Sequence, residues 1–175
     1  LNQTQTRKIM AFSSIAHLGW MTAIMALNPN IAMLNLTLYL MMTTTMFMML
    51  TLTSSKTIKD MAMMSTMSPP ITALMMTVLM SLGGLPPLTG FIPKWLILQE
   101  LTNHNFPTTA TIMALSALLS LFFYLRLSYV ASLTLAPNTT NTHYKWRFQS
   151  KTITTPMSVM LLLSTLLLPI TPSLL

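Results

Sequence analysis

The chain has 175 residues and a net charge of +7, yet only 6% of its residues are charged and 53% are hydrophobic. A soluble domain carries about 25% charged residues, so this composition excludes a soluble protein and predicts an all-α integral membrane protein. The absence of cysteine excludes disulfides, cysteine-ligated iron–sulfur clusters and thiol chemistry, and two acidic residues with three histidines are too few for a metal centre.

Five apolar stretches are interpreted as membrane spans of a single domain that covers residues 1–175. They run at about 7–27, 31–52, 71–103, 108–135 and 156–170. We expect loops at 54–68 and 138–155, where polar residues concentrate, and turns at 28–30 and 104–107, which each contain a proline. The chain starts at Leu1 in a polar run without an initiator methionine, so we expect the N-terminal part of the protein to be missing.

The third span predicts a broken helix. A continuous helix over 71–103 would be roughly 50 Å long, whereas the hydrocarbon core of a bilayer is about 30 Å thick. We expect the first half to end near Leu82 and the second to begin near Leu88, with the break shielded from lipid. The residues that weaken the helix or remove backbone donors are Gly83, Gly84, Pro86, Pro87 and Pro93.

Charge predicts the topology. If each span crosses once, the start of the first span, the Lys56 and Lys59 loop and the Lys145 to Lys151 loop all fall on one side of the membrane. The positive-inside rule makes that side the matrix or cytoplasmic side and places the C-terminus opposite. This distribution fits a membrane protein better than a nucleic-acid-binding one. The 19 methionines, abundant threonine and absence of cysteine are typical of a mitochondrially encoded membrane protein.

Lys94 and His17 are the main candidates for proton transfer. Lys94 follows the break and lies about 15 Å of helix before the next turn, near the membrane midplane, where an ammonium is costly unless it lines a polar interior. Burial disfavours the charged form, which would let this lysine exchange protons near neutral pH. His17 lies halfway along its span, and an imidazole can relay a proton between its ring nitrogens. The alternatives are a lysine that only anchors its helix and a histidine satisfied by a neighbouring carbonyl or hydroxyl.

Other ionisable residues are weaker candidates. Glu100 could receive protons from the region of Lys94, although a carboxylate near a helix end is usually only solvated. Arg7 and Lys8 read most simply as interfacial anchors, with a role in proton entry as the alternative. Arg126 either extends to the interface or pairs inside the helical bundle.

Two motifs resemble a known family. They are Arg7-Lys-Ile-Met-Ala-Phe-Ser-Ser-Ile-Ala-His17-Leu-Gly19 and Ser81-Leu-Gly-Gly-Leu-Pro-Pro-Leu-Thr-Gly-Phe-Ile-Pro-Lys94. Both are similar to sequences of the antiporter-like membrane subunits of respiratory complex I, and the likeness extends from end to end of the chain. The resemblance implies a fold of two inverted five-helix repeats, each with a broken helix, of which this chain holds most of the second repeat and a final helix.

The resemblance also implies a function. His17 matches the family's central histidine and Lys94 its second-repeat lysine, whereas the first-repeat glutamate and lysines have no counterpart here. The family implies a core subunit of NADH:ubiquinone oxidoreductase in the mitochondrial inner membrane that contributes to proton translocation, an obligate hetero-oligomer with other membrane subunits and lipids. We expect no cofactor in this chain, with flavin, iron–sulfur clusters and the quinone site in other subunits. The alternatives are an Mrp-type cation/proton antiporter subunit and a structural membrane subunit without a proton path.

Overall fold

The computed structural model describes residues 3–67, 69–133 and 154–166, and the expectation of an all-α fold is confirmed for them. These ranges contain helices and connections, with an isolated backbone bridge between Gln5 and Thr57. The helices are α1 (Thr6–Met25), α2 (Pro29–Thr53), α3 (Ile58–Met67), α4 (Pro69–Gly83), α5 (Phe91–Asn103), α6 (Pro107–Leu133) and α7 (Thr154–Leu166). Parts of the predicted loop at 138–155 and of the last span at 156–170 lie outside the described residues.

The predicted loop at 54–68 was wrong, because most of it is α3. Thr57 and Asp60 start this helix as a reciprocal capping pair. The Asp60 carboxylate accepts hydrogen bonds from the backbone N–H groups of Thr57 at 2.8 Å and Lys56 at 3.0 Å, and the Asp60 N–H donates to the Thr57 hydroxyl at 3.3 Å. Such a pair satisfies donors that a helix start otherwise leaves free. The Thr-Ile-Lys-Asp spacing was present in the sequence and is a recognised start signal.

The helical path is interrupted between α4 and α5, as the glycines and prolines predict. The first half continues to Gly83, so Leu82 and Gly83 are helical, and the second half begins at Phe91, three residues later than expected. Gly84 ends α4 at φ +84°, a conformation that glycine adopts readily. Its N–H donates to the carbonyl of Ser81 at 3.0 Å, and the Leu85 N–H donates to that of Met80 at 3.3 Å. This pair of bonds is a Schellman motif, which closes a helix at a glycine.

One end of the bundle carries the charged residues of the first half of the chain. The Thr6 N–H donates to the carbonyl of Lys56 at 3.1 Å, and the Ile58 N–H donates to that of Thr4 at 3.1 Å. The Thr6 hydroxyl also donates to the Lys56 carbonyl, at 3.1 Å. The start of α1 and the α2–α3 connection are therefore tied together at what we call the charged end, with Arg7, Lys8, Lys56 and Lys59.

Two apolar clusters hold the helices together. The larger cluster is rich in methionine, whose unbranched side chain fills irregular gaps, and it includes Met42, Met46, Met49, Met75, Leu79, Leu82 and Leu161. The smaller one, here the Trp20 cluster, joins the end of α1, the start of α2, the end of α5 and the start of α6. Its buried members are Trp20, Ile24, Ile31, Ala32, Ile97, Leu101 and Ala110. The Trp20 cluster therefore marks the end of the bundle opposite the charged end.

Among the described helices, α2 and α6 are long and apolar enough to cross a membrane, and α4 is a shorter apolar helix. In α6 only 17% of the most apolar 18-residue stretch is buried inside the bundle. Large apolar side chains along this helix remain exposed, among them Ile112, Leu115, Leu118, Leu119 and Phe122. The structure itself identifies two spans by length and composition, so the predicted five crossings stay a prediction.

Candidate functional site

Lys94 is held at the break between α4 and α5. It lies in the first turn of α5 and is 8% exposed. Its ammonium donates to the carbonyl oxygen of Gly83 at 2.9 Å and lies 3.5 Å from that of Leu82. Both carbonyls belong to the last turn of α4, the end at which a helix dipole is negative and favours a cation. The break therefore supplies the lysine with polar partners inside an apolar bundle.

The Schellman motif explains why these two carbonyls are available. It uses the carbonyls of Met80 and Ser81, so those of Leu82 and Gly83 are the next in line without a helical partner. Gly84 also leaves the space that the lysine occupies, because a Cβ atom there would lie 2.9 Å from the Lys94 nitrogen. Helix termination and lysine binding are thus parts of the same local structure.

His17 approaches the same place from α1. Its side chain is buried, at 6% exposure, and its ring stacks on Tyr39 of α2 with centroids 4.7 Å apart and planes tilted by 31°. Counted from the end of the bundle at the Trp20 cluster, His17 lies about 12 Å before the end of α1 and Lys94 about 14 Å before the end of α5. The two groups therefore sit at a similar depth, as expected from the sequence.

A small cavity of about 10 Å³ joins the two residues. Its lining comprises His17, Lys94, Trp20, Tyr124, Ser120, Ala16 and Leu82. One water molecule needs roughly 10–15 Å³ and two or more polar partners, and this cavity offers an imidazole, an amine, a phenol and a hydroxyl. The arrangement can carry a proton between His17 and Lys94 through a bridging water.

Two tyrosines that no sequence motif singled out also belong to this site. Tyr124 of α6 is 4% exposed and lines the cavity, with the Ser13 side chain close to its hydroxyl. Tyr39 contacts His17, and the Ser14 side chain lies close to its hydroxyl. A buried tyrosine hydroxyl needs a polar partner, so a tyrosine in mid-span was the signal for a polar interior. The site therefore extends from the cavity along α1 toward the charged end.

The remaining candidates lie away from the cavity. Glu100 is at the other end of α5, where its carboxylate is 3.7 Å from the imidazole of His104. Lys8 is exposed near the start of α1, about 14 Å along the helix from His17. Arg7 and Arg126 are also exposed. Across residues 3–67, 69–133 and 154–166, no group of three or more His, Asp or Glu side chains could hold a metal ion.

Residues 1–120 match the family described as the transmembrane part of NADH:quinone oxidoreductases and Mrp antiporters. That match covers most of the chain, and it agrees with apolar helices around a broken helix and a buried lysine. The chain belongs to this family of integral membrane proteins. Residues 121–175 match a second family, described as the C-terminus of NADH dehydrogenase subunit 2.

Individual relatives agree with the second match. The chain is 56% identical over 172 residues to NADH-ubiquinone oxidoreductase chain 2 of Xenopus laevis, which is 98% of this chain and 50% of the relative. It is 52% identical over 174 residues to the protein of the same name from Hippopotamus amphibius, 99% of this chain and 50% of the relative. The chain therefore spans about half the length of the curated relatives it matches, and the resemblance found in the two motifs is confirmed.

Proposed function

We propose that this chain is part of a core membrane subunit of a proton-translocating NADH:ubiquinone oxidoreductase and relays protons through Lys94 and His17. The observation that carries the proposal is the buried Lys94 ammonium, held on the free carbonyls of a broken helix and sharing a cavity with His17. A buried charge in a membrane bundle is costly, and such residues typically mark proton relays.

The geometry suggests the chemical steps. The charged lysine is stabilised by the Gly83 carbonyl, and on giving its proton to a water in the cavity it becomes a neutral amine. His17 accepts a proton on one ring nitrogen and releases one from the other. A positive charge on one group would disfavour protonation of the other, because the two charges are close enough to interact. Charge movement elsewhere in the complex can then drive the transfer.

The redox role belongs to the complex rather than to this chain. We propose that flavin, iron–sulfur clusters and the quinone site reside in other subunits, and that other membrane subunits and lipids surround the exposed apolar helices. The match of residues 121–175 to the subunit 2 C-terminus favours this function over that of an Mrp-type antiporter. A purely structural subunit would have no need of a buried lysine on the free carbonyls of a helix end.

We propose further that the chain lies in the mitochondrial inner membrane with the charged end toward the matrix. Four cations and one carboxylate lie at the charged end, which fits the positive-inside rule. In this arrangement α4 and α5 together make one broken crossing in the second of two inverted repeats, and the C-terminus faces the intermembrane space. Glu100 and Lys8 lie near opposite ends of the bundle, so Lys8 would serve at proton entry and Glu100 would receive protons beyond Lys94, rather than in the centre of the path.

Replacing Lys94 tests the function. Lys94→Met keeps the apolar length and removes the titrating amine, and Lys94→Arg keeps a charge that scarcely deprotonates. Both should lower proton uptake per NADH oxidised in vesicles containing the assembled complex, and electron transfer should slow with it. Lys59→Met, which removes an exposed lysine at the charged end, is the matched control and should pump normally. Normal stoichiometry and rate in both Lys94 variants would show that the lysine is scaffolding.

A further inference from the structure

The Thr89 hydroxyl bonds differently from most hydroxyls in the part of the chain that the structure describes. Many helical serines and threonines donate to the carbonyl three or four residues earlier, as Thr77 does to Leu74 at 2.7 Å. That local bond keeps a hydroxyl satisfied in an apolar environment without joining two helices. Thr89, in the unwound segment between α4 and α5, instead donates to the backbone carbonyl of Ser164 on α7, 75 residues away in the sequence.

Both partners of this bond are buried. Thr89 is 0% exposed and Ser164 is 1% exposed, so water does not compete for the hydroxyl. The Ser164 hydroxyl is itself engaged with the carbonyl of Leu161 at 3.0 Å, and Leu161 lies in the larger apolar cluster. The helix that receives the Thr89 bond is therefore packed into the core and can serve as a fixed support.

The segment next to Thr89 packs directly on the end of α4. A Cβ atom at Gly90 would lie 1.8 Å from the carbonyl oxygen of Ser81, so the two backbones are in contact. The Ser81 hydroxyl in turn lies 3.4 Å from the sulfur of Met42 on α2. A shift of the unwound segment would thus move the last turn of α4, whose Gly83 carbonyl binds Lys94.

We propose that Thr89 is a positioning residue, which ties the unwound segment to α7 and thereby holds the Gly83 carbonyl against the Lys94 ammonium. The proposal rests on the proposed function only for its effect on proton transfer, since the tie itself is a property of the fold. It assigns α7 a part in the site, although none of its described side chains lines the cavity.

The tie can be tested by labelling a cysteine in the unwound segment of the assembled complex. These 175 residues contain no cysteine, so Leu85→Cys provides a reporter whose modification by a maleimide is followed on its own peptide by mass spectrometry. Thr89→Val removes the hydroxyl at nearly constant volume, Thr89→Ser retains it, and Thr77→Val is the matched control on the exposed face of α4. Loss of one interhelical bond should raise the labelling rate roughly three- to tenfold in Thr89→Val.

We expect Thr89→Ser and Thr77→Val to label like the parent, and proton uptake per NADH to fall in Thr89→Val but not in these two. Unchanged labelling in Thr89→Val would overturn the tie. Raised labelling with normal proton uptake would overturn the positioning of Lys94.

If Thr89→Val fails to assemble, Thr89→Ala is the second variant, and rescue of assembly by serine alone supports the hydroxyl contact. Failure of Thr89→Ser as well would overturn it. Normal pumping by Lys94→Met would defeat the proposed function and leave the labelling result standing.

Discussion

Gly90 lies so close to Ser81 that no side chain fits between them, since a Cβ atom would be 1.8 Å from the Ser81 carbonyl oxygen. The backbone of Gly90 itself has an ordinary helical conformation, with φ at −67°. Glycine is therefore required there for the contact between two backbones and not for its own dihedral angles. This contact is what folds the unwound segment back onto α4.

Gly90→Ala should therefore destabilise the bundle by about 3 kcal/mol, because the clash is with backbone that cannot rotate away. Retention of the subunit in the assembled complex on native gels is the measurement. Gly83→Ala is the control, since its Cβ would meet the Tyr124 side chain at an ordinary 3.6 Å. Equal assembly of the two variants would contradict the close approach.

Gly84→Ala should loosen the turn and displace Lys94. The φ of +84° costs an alanine roughly 1–2 kcal/mol, and its methyl group would lie 2.9 Å from the lysine nitrogen. Hydrogen exchange of the backbone amides at positions 84, 85 and 88 should become faster. Gly19→Ala, with no heavy atom within 4 Å of the new methyl group, should instead be neutral or stabilising by up to about 1 kcal/mol. Unchanged exchange in Gly84→Ala would argue against the Schellman motif.

His17→Phe should keep the fold and lose proton transfer. A phenyl ring preserves the stacking on Tyr39 but has no nitrogen to carry a proton. We expect proton uptake by the complex in vesicles to fall by roughly tenfold or more, given what positioned proton-transfer groups contribute. The same substitution at His104, whose side chain is 49% exposed, should leave uptake unchanged. Equal pumping by both variants would remove His17 from the path.

Asp60→Asn should weaken the start of α3 in a pH-dependent way. The backbone N–H of Thr57, followed by the Thr57 hydroxyl and the Lys56 N–H, holds the pKa of Asp60 below its ordinary value of 3.8. A carboxyl whose pKa is lowered in the folded state stabilises above that ordinary value, and the stabilisation disappears as the pH falls through the lowered one. The faster amide exchange of Asp60→Asn at pH 7 should therefore converge with that of the parent in acid.

The capping pair also allows a comparison in which the Asp60 carboxylate stays in place. Thr57→Ala removes the hydroxyl that receives the Asp60 N–H and should cost about 1 kcal/mol of local stability at pH 7. Lys59→Ala, an exposed neighbour, should have little effect on exchange in α3. If amide exchange in α3 stays faster in Asp60→Asn than in the parent by the same factor in acid, the carboxylate charge is not what stabilises the start of the helix.

Composition and local pattern were enough to predict an all-helical membrane protein and the position of the helix break, and to single out Lys94 and His17, which the structure buries beside one cavity. Hydrophobic runs, glycine and proline affect the backbone within a few residues, so their effects can be predicted from the sequence without knowing the fold. Helix α3 could also have been predicted from local pattern, because Thr57 and Asp60 are close in the sequence. The polar and charged residues around them led to the prediction of a loop instead.

The tertiary structure alone decided which groups meet. Tyr39 and Tyr124 reach the site because of the rotation of α2 and α6 about their axes, which near-uniform apolarity around those helices leaves undetermined. The bond from Thr89 to Ser164 and the contact of Gly90 with Ser81 join segments far apart along the chain or across an unwound turn. Such contacts depend on the mutual register of packed helices, and register follows from the close packing of the whole bundle rather than from any local pattern.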